Sequence, residues 1–398
     1  MKKIWKRYMS VALCMMMMSI MLAACGDSST STGESTSSEV GDTSGMESTG
    51  TVEGGRKMGI IFYGKDDPAA AALYRNLNKI GEMLNCEIVW ALGSFDPNEQ
   101  LTDAQNLIAA GVEGIICVPL NDVASQKIMQ LCDENEVFFS IFLRDIVDEK
   151  ILEEVESSKY WVGASTEDNY ALGAQIIQDI YDNGARKLGL LMGVGEQSFE
   201  VARNAGFYDK IEELGMEILA EAAPLNGSTD AEGQTENFLT SYPEMDGIAM
   251  VSGATGNGEI VMAALERNNR IGQVRVGSCD TFDGMMDGFE VDTLDVTAGG
   301  FYSDGVFNFM WNYNSVVGTP ISDTNTTTLI MPVMFINSAE ECELYERYVD
   351  TPDYDLFTFE DIQQLLKSEN PDLTIEKYQE IMDEFTLENI ATKAESRQ

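Results

Sequence analysis

The chain has 398 residues and carries 25 Lys and Arg against 67 Asp and Glu, a formal net charge of −42 at pH 7. A surface this acidic repels phosphate backbones, so we expect no nucleic-acid partner. The sequence contains no histidine, which excludes Ser-His and Cys-His nucleophile pairs and every histidine-based metal site.

Residues 1–24 have the features of an export signal. Basic residues come first, an apolar run too short for a comfortable membrane span follows, and small residues precede Cys25. The sequence LAAC at 22–25 resembles a bacterial lipobox, which predicts that Cys25 becomes lipidated. The alternative is a plain signal peptide followed by a cysteine that is there by chance.

Residues 25–56 are rich in Ser, Thr, Gly and Glu and contain almost nothing apolar. Such a stretch does not bury a core, so we expect a flexible tether. A tether is useful only when its start is anchored. The segment therefore favours an exported protein held by lipid on the outer face of the cytoplasmic membrane.

From residue 57 onward, strand-like and helical patterns alternate in two consecutive series. In the first series the apolar strand-like runs are 58–63, 87–92, 114–120 and 137–142, and the helical patterns are 68–84, 98–110 and 121–135. In the second series strand-like runs lie near 160–163, 187–192, 216–221, 247–251 and 273–277, with helical patterns at 167–182, 198–214, 228–241 and 257–268. This alternation predicts an α/β protein with two doubly wound parallel-sheet lobes that face each other across a cleft.

The last segment, 341–398, is acidic and reads as a helical C-terminal extension, with helical patterns at 358–368 and 374–386. An apolar stripe at helical spacing favours a pair of helices packed on a lobe. The alternative is an appendage that binds a partner.

Residues 248–258, IAMVSGATGNG, have the strand, glycine turn and helix order that is typical of dinucleotide binding. Asp280 even lies about twenty residues further on, where a ribose-binding acid is expected. The spacing, however, is G-x-x-G-x-G, and the loop comes late in its series. A dinucleotide enzyme also predicts a cytoplasmic location, which the export signal contradicts. We therefore expect no cofactor and no catalytic residues.

Five cysteines follow Cys25 and show no C-x-x-C spacing, so we expect buried free thiols. They are Cys86, Cys117, Cys132, Cys279 and Cys342. The acidic residues form no D-x-D-x-D-G calcium loop, and we expect no metal site.

Several segments together resemble the type 1 periplasmic binding proteins, particularly the ribose/galactose-like group that serves ABC importers. They are DAQNLIAAGVEGIICVPLNDVASQKIMQLCDENEV (103–137), VGASTEDNYALGAQ (162–175), VARNAGFYDKIEELG (201–215) and VRVGSCDTFDGMMDG (274–288). The resemblance covers roughly residues 57–335 and implies a Venus-flytrap receptor with a hinge crossed three times. It implies a first lobe of 57–158 plus 291–322 and a second lobe of 159–290 plus 323–340.

In the resembling family two arginines and an aspartate grip sugar hydroxyls, and the matching positions are Arg144, Arg203 and Asp280. The sequence departs from the family in its first loop, where stacking aromatics are replaced by alanines and Tyr63 is left to supply a ring. These departures favour a ligand larger than, or chemically different from, an ordinary monosaccharide. An alternative is that the two arginines hold a carboxylate group of the ligand. The other candidate ligand contacts are Asp66, Asp67, Gln197, Ser252, Thr255, Asn257 and Phe301.

The favoured function is therefore a lipid-anchored substrate-binding protein of an ABC importer, which delivers a carbohydrate-like solute to a membrane permease. The alternative is a receptor of the same fold that signals to a membrane sensor kinase or chemoreceptor. A transcription regulator with the same core would need an N-terminal DNA-binding helix-turn-helix, where this sequence has a signal and tether.

Overall fold

The structure is a computed structural model that describes residues 45–50, 53–65, 68–193, 197–223, 228–254, 256–322 and 326–397. The predicted signal peptide, Cys25 and the tether before residue 45 lie outside these ranges. Within the ranges described, no helix is both long enough and apolar enough to cross a membrane.

Strands and helices alternate along most of the described chain. The strands are β1 (Gly45–Ser48), β2 (Arg56–Phe62), β3 (Cys86–Leu92), β4 (Gly114–Cys117), β5 (Phe138–Phe142), β6 (Trp161–Glu167), β7 (Lys187–Leu191), β8 (Glu217–Ala222), β9 (Gly247–Met250), β10 (Arg275–Ser278), β11 (Leu294–Gly299), β12 (Thr328–Met331) and β13 (Met334–Ile336). The α-helices are α1 (Pro68–Leu84), α2 (Pro97–Ala109), α3 (Asp122–Glu134), α4 (Glu149–Glu156), α5 (Asn169–Asp182), α6 (Ser198–Leu214), α7 (Ser228–Ser241), α8 (Asn257–Arg267), α9 (Met285–Glu290), α10 (Asp304–Val316), α11 (Ala339–Tyr348), α12 (Phe359–Gln364), α13 (Ile375–Asp383) and α14 (Leu387–Ser396).

The first sheet has the spatial order β1-β3-β2-β4-β5-β6-β12. Its neighbouring strands are parallel, except that β1 runs antiparallel to β3. Every residue of β3 and β4 is buried. Continuous burial is what parallel strands covered on both faces by helices require, and it explains why these strands read as unbroken apolar runs.

The second sheet has the order β13-β11-β10-β9-β7-β8. It is parallel apart from β13, which runs antiparallel to β11 at one edge. The predicted α/β fold with two parallel-sheet lobes is therefore confirmed, and each sheet also carries one antiparallel edge strand. We call the part built on the first sheet the first lobe and the part built on the second sheet the second lobe.

The chain passes between the sheets three times, after Glu167, after Gly299 and after Met331. The predicted three-crossover hinge is thus present. The sequence placed the changes of lobe after residues 158, 290 and 322, each nine residues earlier (167 − 158, 299 − 290 and 331 − 322). The difference arises because β6, β11 and β12 pair with strands distant in sequence before the chain crosses, and local patterns do not reveal such pairing.

Helix α10 returns the chain to the first lobe and packs on β4, β5 and β6. It is buried along its whole length. Asn308 Nδ2 donates to the carbonyl oxygen of Ile141 at 2.8 Å, and Asn312 Nδ2 donates to that of Ile115 at 3.1 Å. A Cβ at Gly163, which has φ 148°, would lie 2.0 Å from Trp311 of this helix. Glycine is therefore required for the helix to approach β6 closely.

The segment predicted to be a tether is ordered at its end. Residues of β1 pair with β3, and Ser48 Oγ donates to the Glu87 carboxylate at 2.8 Å. The tether prediction for 25–56 is therefore wrong for these residues. The edge of β3 offers unpaired backbone N–H and C=O groups, which a polar segment satisfies without burying apolar side chains.

The C-terminal extension forms four helices, α11 to α14, where the sequence predicted two. Ile362, Tyr378 and Met382 of these helices are fully buried. Tyr378 Oη donates to the carbonyl oxygen of Phe307 at 2.6 Å. The Gln379 amide bonds both the N–H and the carbonyl oxygen of Ile330, which caps the free edge of β12. Helices α12 and α13 therefore pack on the first lobe, as the apolar stripe indicated, whereas α11 contacts α9 and β13 of the second lobe.

Candidate functional site

Most of the predicted site residues that the structure describes lie in loops that follow the carboxyl ends of parallel strands, whereas Arg203 and Asn257 lie in helices α6 and α8. In the first lobe, Tyr63 follows β2 and Arg144 follows β5. In the second lobe, Gln197 follows β7, Ser252 follows β9, Asp280 follows β10 and Phe301 follows β11. Open α/β sheets bind ligands at these ends, and Arg144 of the first set contacts Gln197 of the second, so the two sets face each other between the lobes. Asp66, Asp67 and Thr255 lie outside the described residues.

Arg203 lies in the second turn of α6 and is 3 % exposed. Its Nη1 donates to Asp280 Oδ1 at 3.1 Å and to the carbonyl oxygen of Val251 at 3.0 Å, and its Nε donates to Asn169 Oδ1 at 2.8 Å. Its Nη2 donates to Glu167 Oε1 at 3.3 Å. Burial alone disfavours the charged guanidinium, but Asp280 and Glu167 outweigh that effect and raise the pKa of Arg203. The structure thus brings Arg203 and Asp280 together, and their predicted role in binding a ligand stays a prediction.

The spacing R-x-x-G in α6 has a packing reason. A Cβ at Gly206 would lie 2.2 Å from the Tyr170 carbonyl oxygen, and a Cβ at Gly173 would lie 2.3 Å from the Arg203 carbonyl oxygen. The two glycines therefore let α5 and α6 approach each other closely. This contact fixes the position from which Arg203 reaches Asp280.

Arg144 reaches across the cleft. Its Nη2 donates to Gln197 Oε1 in the second lobe at 3.1 Å, and its Nη1 donates to the carbonyl oxygen of Leu143 at 2.6 Å. The guanidinium also lies 4.2 Å from the ring centroid of Phe199, at the start of α6. Burial lowers the pKa of Arg144. These contacts join the two lobes.

Aromatic rings lie on both sides of these arginines. The Arg203 guanidinium is 5.0 Å from the Phe199 centroid and 5.5 Å from the Phe301 centroid. In the first lobe, the hydroxyl groups of Tyr63 and Tyr302 are hydrogen-bonded, and their ring centroids are 6.1 Å apart. The cleft therefore has ring faces. Tyr63 in the first loop supplies one of them, and Phe199, Phe301 and Tyr302 supply the others from positions outside that loop.

Asp304, at the start of α10, supports the loop that carries Arg144. Its Oδ2 accepts a hydrogen bond from the N–H of Leu143 at 2.8 Å. Leu143 has φ 57°, a left-handed conformation that costs energy for a side chain of this kind. Burial raises the pKa of Asp304 to about 8 and that of the nearby Asp145 to about 6.

The glycine loop after β9 packs against the loop after β10. A Cβ at Gly253 would lie 2.3 Å from Ser278 Oγ, and one at Gly258 would lie 2.1 Å from the ring of Phe282. These glycines therefore permit a close approach between the segment that follows β9 and the segment that follows β10 in the second lobe. Asn257 Nδ2 donates to the carbonyl oxygen of Ser252 at 3.4 Å, so these two predicted residues contact each other.

All five cysteines in the described chain are buried and free, as predicted. Cys279 precedes Asp280 at the cleft, and burial raises its thiol pKa to about 12. Such a thiol is protonated and unreactive at neutral pH. Among the described residues, no group of three or more Cys, Asp and Glu side chains is arranged to hold a metal ion.

The sequence profile of the periplasmic binding protein domain matches residues 58–303, which is more than half of the chain. The chain belongs to the periplasmic binding protein family. No curated protein matches it. The resemblance that the sequence motifs indicated is therefore confirmed at the level of the family, and the match ends where α10 returns the chain to the first lobe.

Solved solute-binding proteins of ABC transporters are similar to this periplasmic binding protein in fold. One from Actinobacillus succinogenes 130z, with bound D-allose, is 14 % identical with a TM-score of 0.64, and the similarity covers 73 % of this chain and 100 % of that one. One from Bacillus halodurans C-125, with bound myo-inositol, is 17 % identical with a TM-score of 0.62, over 75 % of this chain and 99 % of that one. A periplasmic ribose ABC transporter protein from Conexibacter woesei DSM 14684 is 16 % identical with a TM-score of 0.62, over 73 % and 95 %. Because the identities are this low, the similarity to these solved proteins shows the fold alone.

Two cleft residues of this binding protein escaped the sequence analysis. Glu167 ends β6 and pairs with Arg203, and Phe199 lies between the two guanidinium groups. Phe199 could have been found, because it lies four residues before Arg203 and hence on the same face of α6. Glu167 gave no such signal, since its role depends on how β6 crosses between the lobes.

Proposed function

We propose that the protein is an exported, lipid-anchored substrate-binding protein of an ABC importer. In this proposal it captures a carbohydrate-like solute between its two lobes and delivers it to a membrane permease. It acts by binding and release, with no catalytic step. Residues Arg144, Arg203 and Asp280 are the central ligand contacts.

The cross-lobe contact between Arg144 and Gln197 is the observation that carries this proposal. Polar donors and acceptors from both lobes meet at the carboxyl ends of their strands, and a hinge of three crossovers connects the lobes. Such a cleft encloses a polar solute and changes shape when it does so. A ligand that binds the closed form more tightly shifts the population toward that form, and a permease then has a ligand-dependent surface to recognise.

The polar character of the cleft favours a ligand rich in hydroxyl groups. Guanidinium groups offer several fixed donors, and a carboxylate accepts from two hydroxyls at once. The aromatic rings of Phe199 and Phe301 beside the arginines add apolar faces, which suit the C–H face of a sugar ring. The solved proteins of this fold that bind D-allose and myo-inositol agree with this ligand class.

The sequence alone supports the lipid anchor at Cys25. The basic and apolar segments of residues 1–24 predict export, and LAAC at 22–25 predicts a lipid on Cys25. Metabolic labelling with a palmitate analogue tests this part: the native chain should carry the label, and a Cys25→Ser variant should lose it. Label on the variant would contradict the lipid anchor.

A thermal-shift screen tests the binding function. The mature chain, residues 26–398, is heated with neutral sugars, polyols, amino sugars, sugar acids and nucleosides. A ligand at about 100 times its Kd stabilises the native state by about 2.7 kcal/mol. A shift with a carbohydrate supports the proposal, whereas shifts confined to nucleosides, or none with any class, contradict it.

A further inference from the structure

The charge of Arg203 is already matched inside the protein. Its Nη1 lies 3.1 Å from Asp280 Oδ1 and its Nη2 lies 3.3 Å from Glu167 Oε1. Both side chains of the pair with Glu167 are 3 % exposed. Two carboxylates therefore flank one buried guanidinium, and Arg203 has no surplus positive charge to offer to a ligand.

Only one of the two carboxylate oxygens of Glu167 has a hydrogen-bond partner among the described residues. One oxygen, Oε1, accepts from Arg203, whereas Oε2 is buried and has no hydrogen-bond partner among the described residues. The Nε of Arg144 is likewise buried without a partner there. Buried polar atoms are nearly always hydrogen-bonded in folded proteins. An acceptor and a donor without partners in the same cleft therefore indicate a bound molecule that forms hydrogen bonds with both.

We propose that Glu167 determines ligand specificity. Its free oxygen, Oε2, accepts a hydrogen bond from a hydroxyl or ammonium group of the ligand, while the Nε of Arg144 donates to a ligand oxygen. The residue selects neutral or amino-substituted polyols and sugars, and it disfavours an anionic group at this position. This inference rests on the proposed function, because it names the ligand class of the same cleft.

The electrostatics of the cleft explain the discrimination. A ligand carboxylate beside Glu167 would meet a like charge in a site of low dielectric, where the repulsion is poorly screened. Asp280 and Glu167 already neutralise Arg203, so the carboxylate would gain little from that cation. The structure therefore argues against the hypothesis that both arginines together hold a carboxylate.

The test is the Glu167→Gln substitution in the mature chain, residues 26–398. A glutamine keeps the shape and one acceptor oxygen for Arg203, but it places an NH₂ donor where Oε2 accepted. The matched control is Asp168→Asn, which removes the same charge one residue away at an exposed position. Asp168 is the N-cap of α5, and asparagine is an equally good N-cap.

Calorimetric titration compares wild type and variants with myo-inositol, D-allose, D-ribose, D-glucosamine and D-glucuronate. We expect wild type to bind a neutral or amino compound and to discriminate against D-glucuronate. In Glu167→Gln, the Kd of that compound should rise about tenfold or more, and binding of D-glucuronate should strengthen. Asp168→Asn should stay within about twofold of wild type. Urea unfolding verifies that each variant is folded. If Glu167→Gln is unfolded, Glu167→Asp replaces it: this variant keeps the negative charge and should still discriminate against D-glucuronate.

The outcomes separate this inference from the proposed function. If Glu167→Gln binds the preferred compound as tightly as wild type does, or if wild type prefers D-glucuronate, the role of Glu167 is wrong and the carbohydrate-binding function stands. If wild type binds none of the five compounds, the titration uses a carbohydrate found in the thermal-shift screen. If that screen finds no carbohydrate either, the carbohydrate-binding function is contradicted and the inference falls with it.

Discussion

Nη2 of Arg144 in the first lobe donates a hydrogen bond to Oε1 of Gln197 in the second lobe over 3.1 Å. The two residues are 53 positions apart and follow strands of different sheets. Their contact joins the two lobes next to Phe199, whose ring lies 4.2 Å from the Arg144 guanidinium and 5.0 Å from that of Arg203. It therefore couples the position of the lobes to the groups proposed to hold the ligand.

Replacing Gln197 by alanine should favour the open form. The lost hydrogen bond involves a charged donor, and such bonds contribute about 1.5–3 kcal/mol. We expect a larger radius of gyration in small-angle X-ray scattering and an affinity for the identified ligand lowered about tenfold or more. The control is Gln178→Ala, a change at a partly exposed position on α5, which should alter neither quantity. An unchanged radius and affinity for Gln197→Ala would show that the contact does not hold the cleft closed.

Replacing Arg203 by methionine should destabilise the protein strongly. The change leaves the buried Glu167 and the partly buried Asp280 without their cation, and breaking a buried pair such as Arg203–Glu167 costs about 3–5 kcal/mol. The control is Arg267→Met, which removes exposed ion pairs to Glu232 and Glu236 and should cost no more than about 1 kcal/mol. The free energy of unfolding in urea measures both effects. Equal losses for the two variants would contradict the buried ion-pair arrangement.

Asp304 should make the stability of the protein depend on pH. Its pKa is raised from 3.8 to about 8 by burial, so between these values the folded state binds a proton that the unfolded state has released. Stability therefore falls as pH rises from about 4 to about 8, at most by about 1.4 kcal/mol per pH unit for one proton. Asp304→Asn should flatten this fall in urea unfolding measured across that range. Asp182→Asn, on the surface of α5, should leave it in place, and a slope unaffected by Asp304→Asn would refute the assignment.

The C-terminal helices should unfold together with the first lobe. Met382→Ala removes a fully buried side chain and should cost about 2–5 kcal/mol. The exposed change Glu380→Ala on the same helix is the control and should cost less than about 0.5 kcal/mol. Denaturant unfolding followed by circular dichroism should show one transition whose midpoint shifts. A separate early transition that alone responds to Met382→Ala would indicate an independently folding appendage.

The sequence predicted most of the fold because the signals involved are local. Apolar runs of strand length and helical patterns between them gave the positions of β2 to β10 to within a few residues. Strands β1, β11, β12 and β13 were missed. The strand β1 is polar, and its residues become a strand only because they meet the open edge of β3.

The sequence by itself determined the two-lobed α/β architecture, the family, the positions of Arg144 and Asp280 at strand ends, and the position of Arg203 in a helix. Periodicity and motif order depend on residues that are close together in the sequence, so they can be read without a three-dimensional structure. The tertiary structure alone decided where the chain crosses the hinge, which partners Arg203 has, and that Glu167 and Phe199 belong to the cleft. Those features depend on contacts between residues far apart in sequence, such as Glu167 and Arg203. These two residues come into contact only when β6 and α6 are packed in the folded protein.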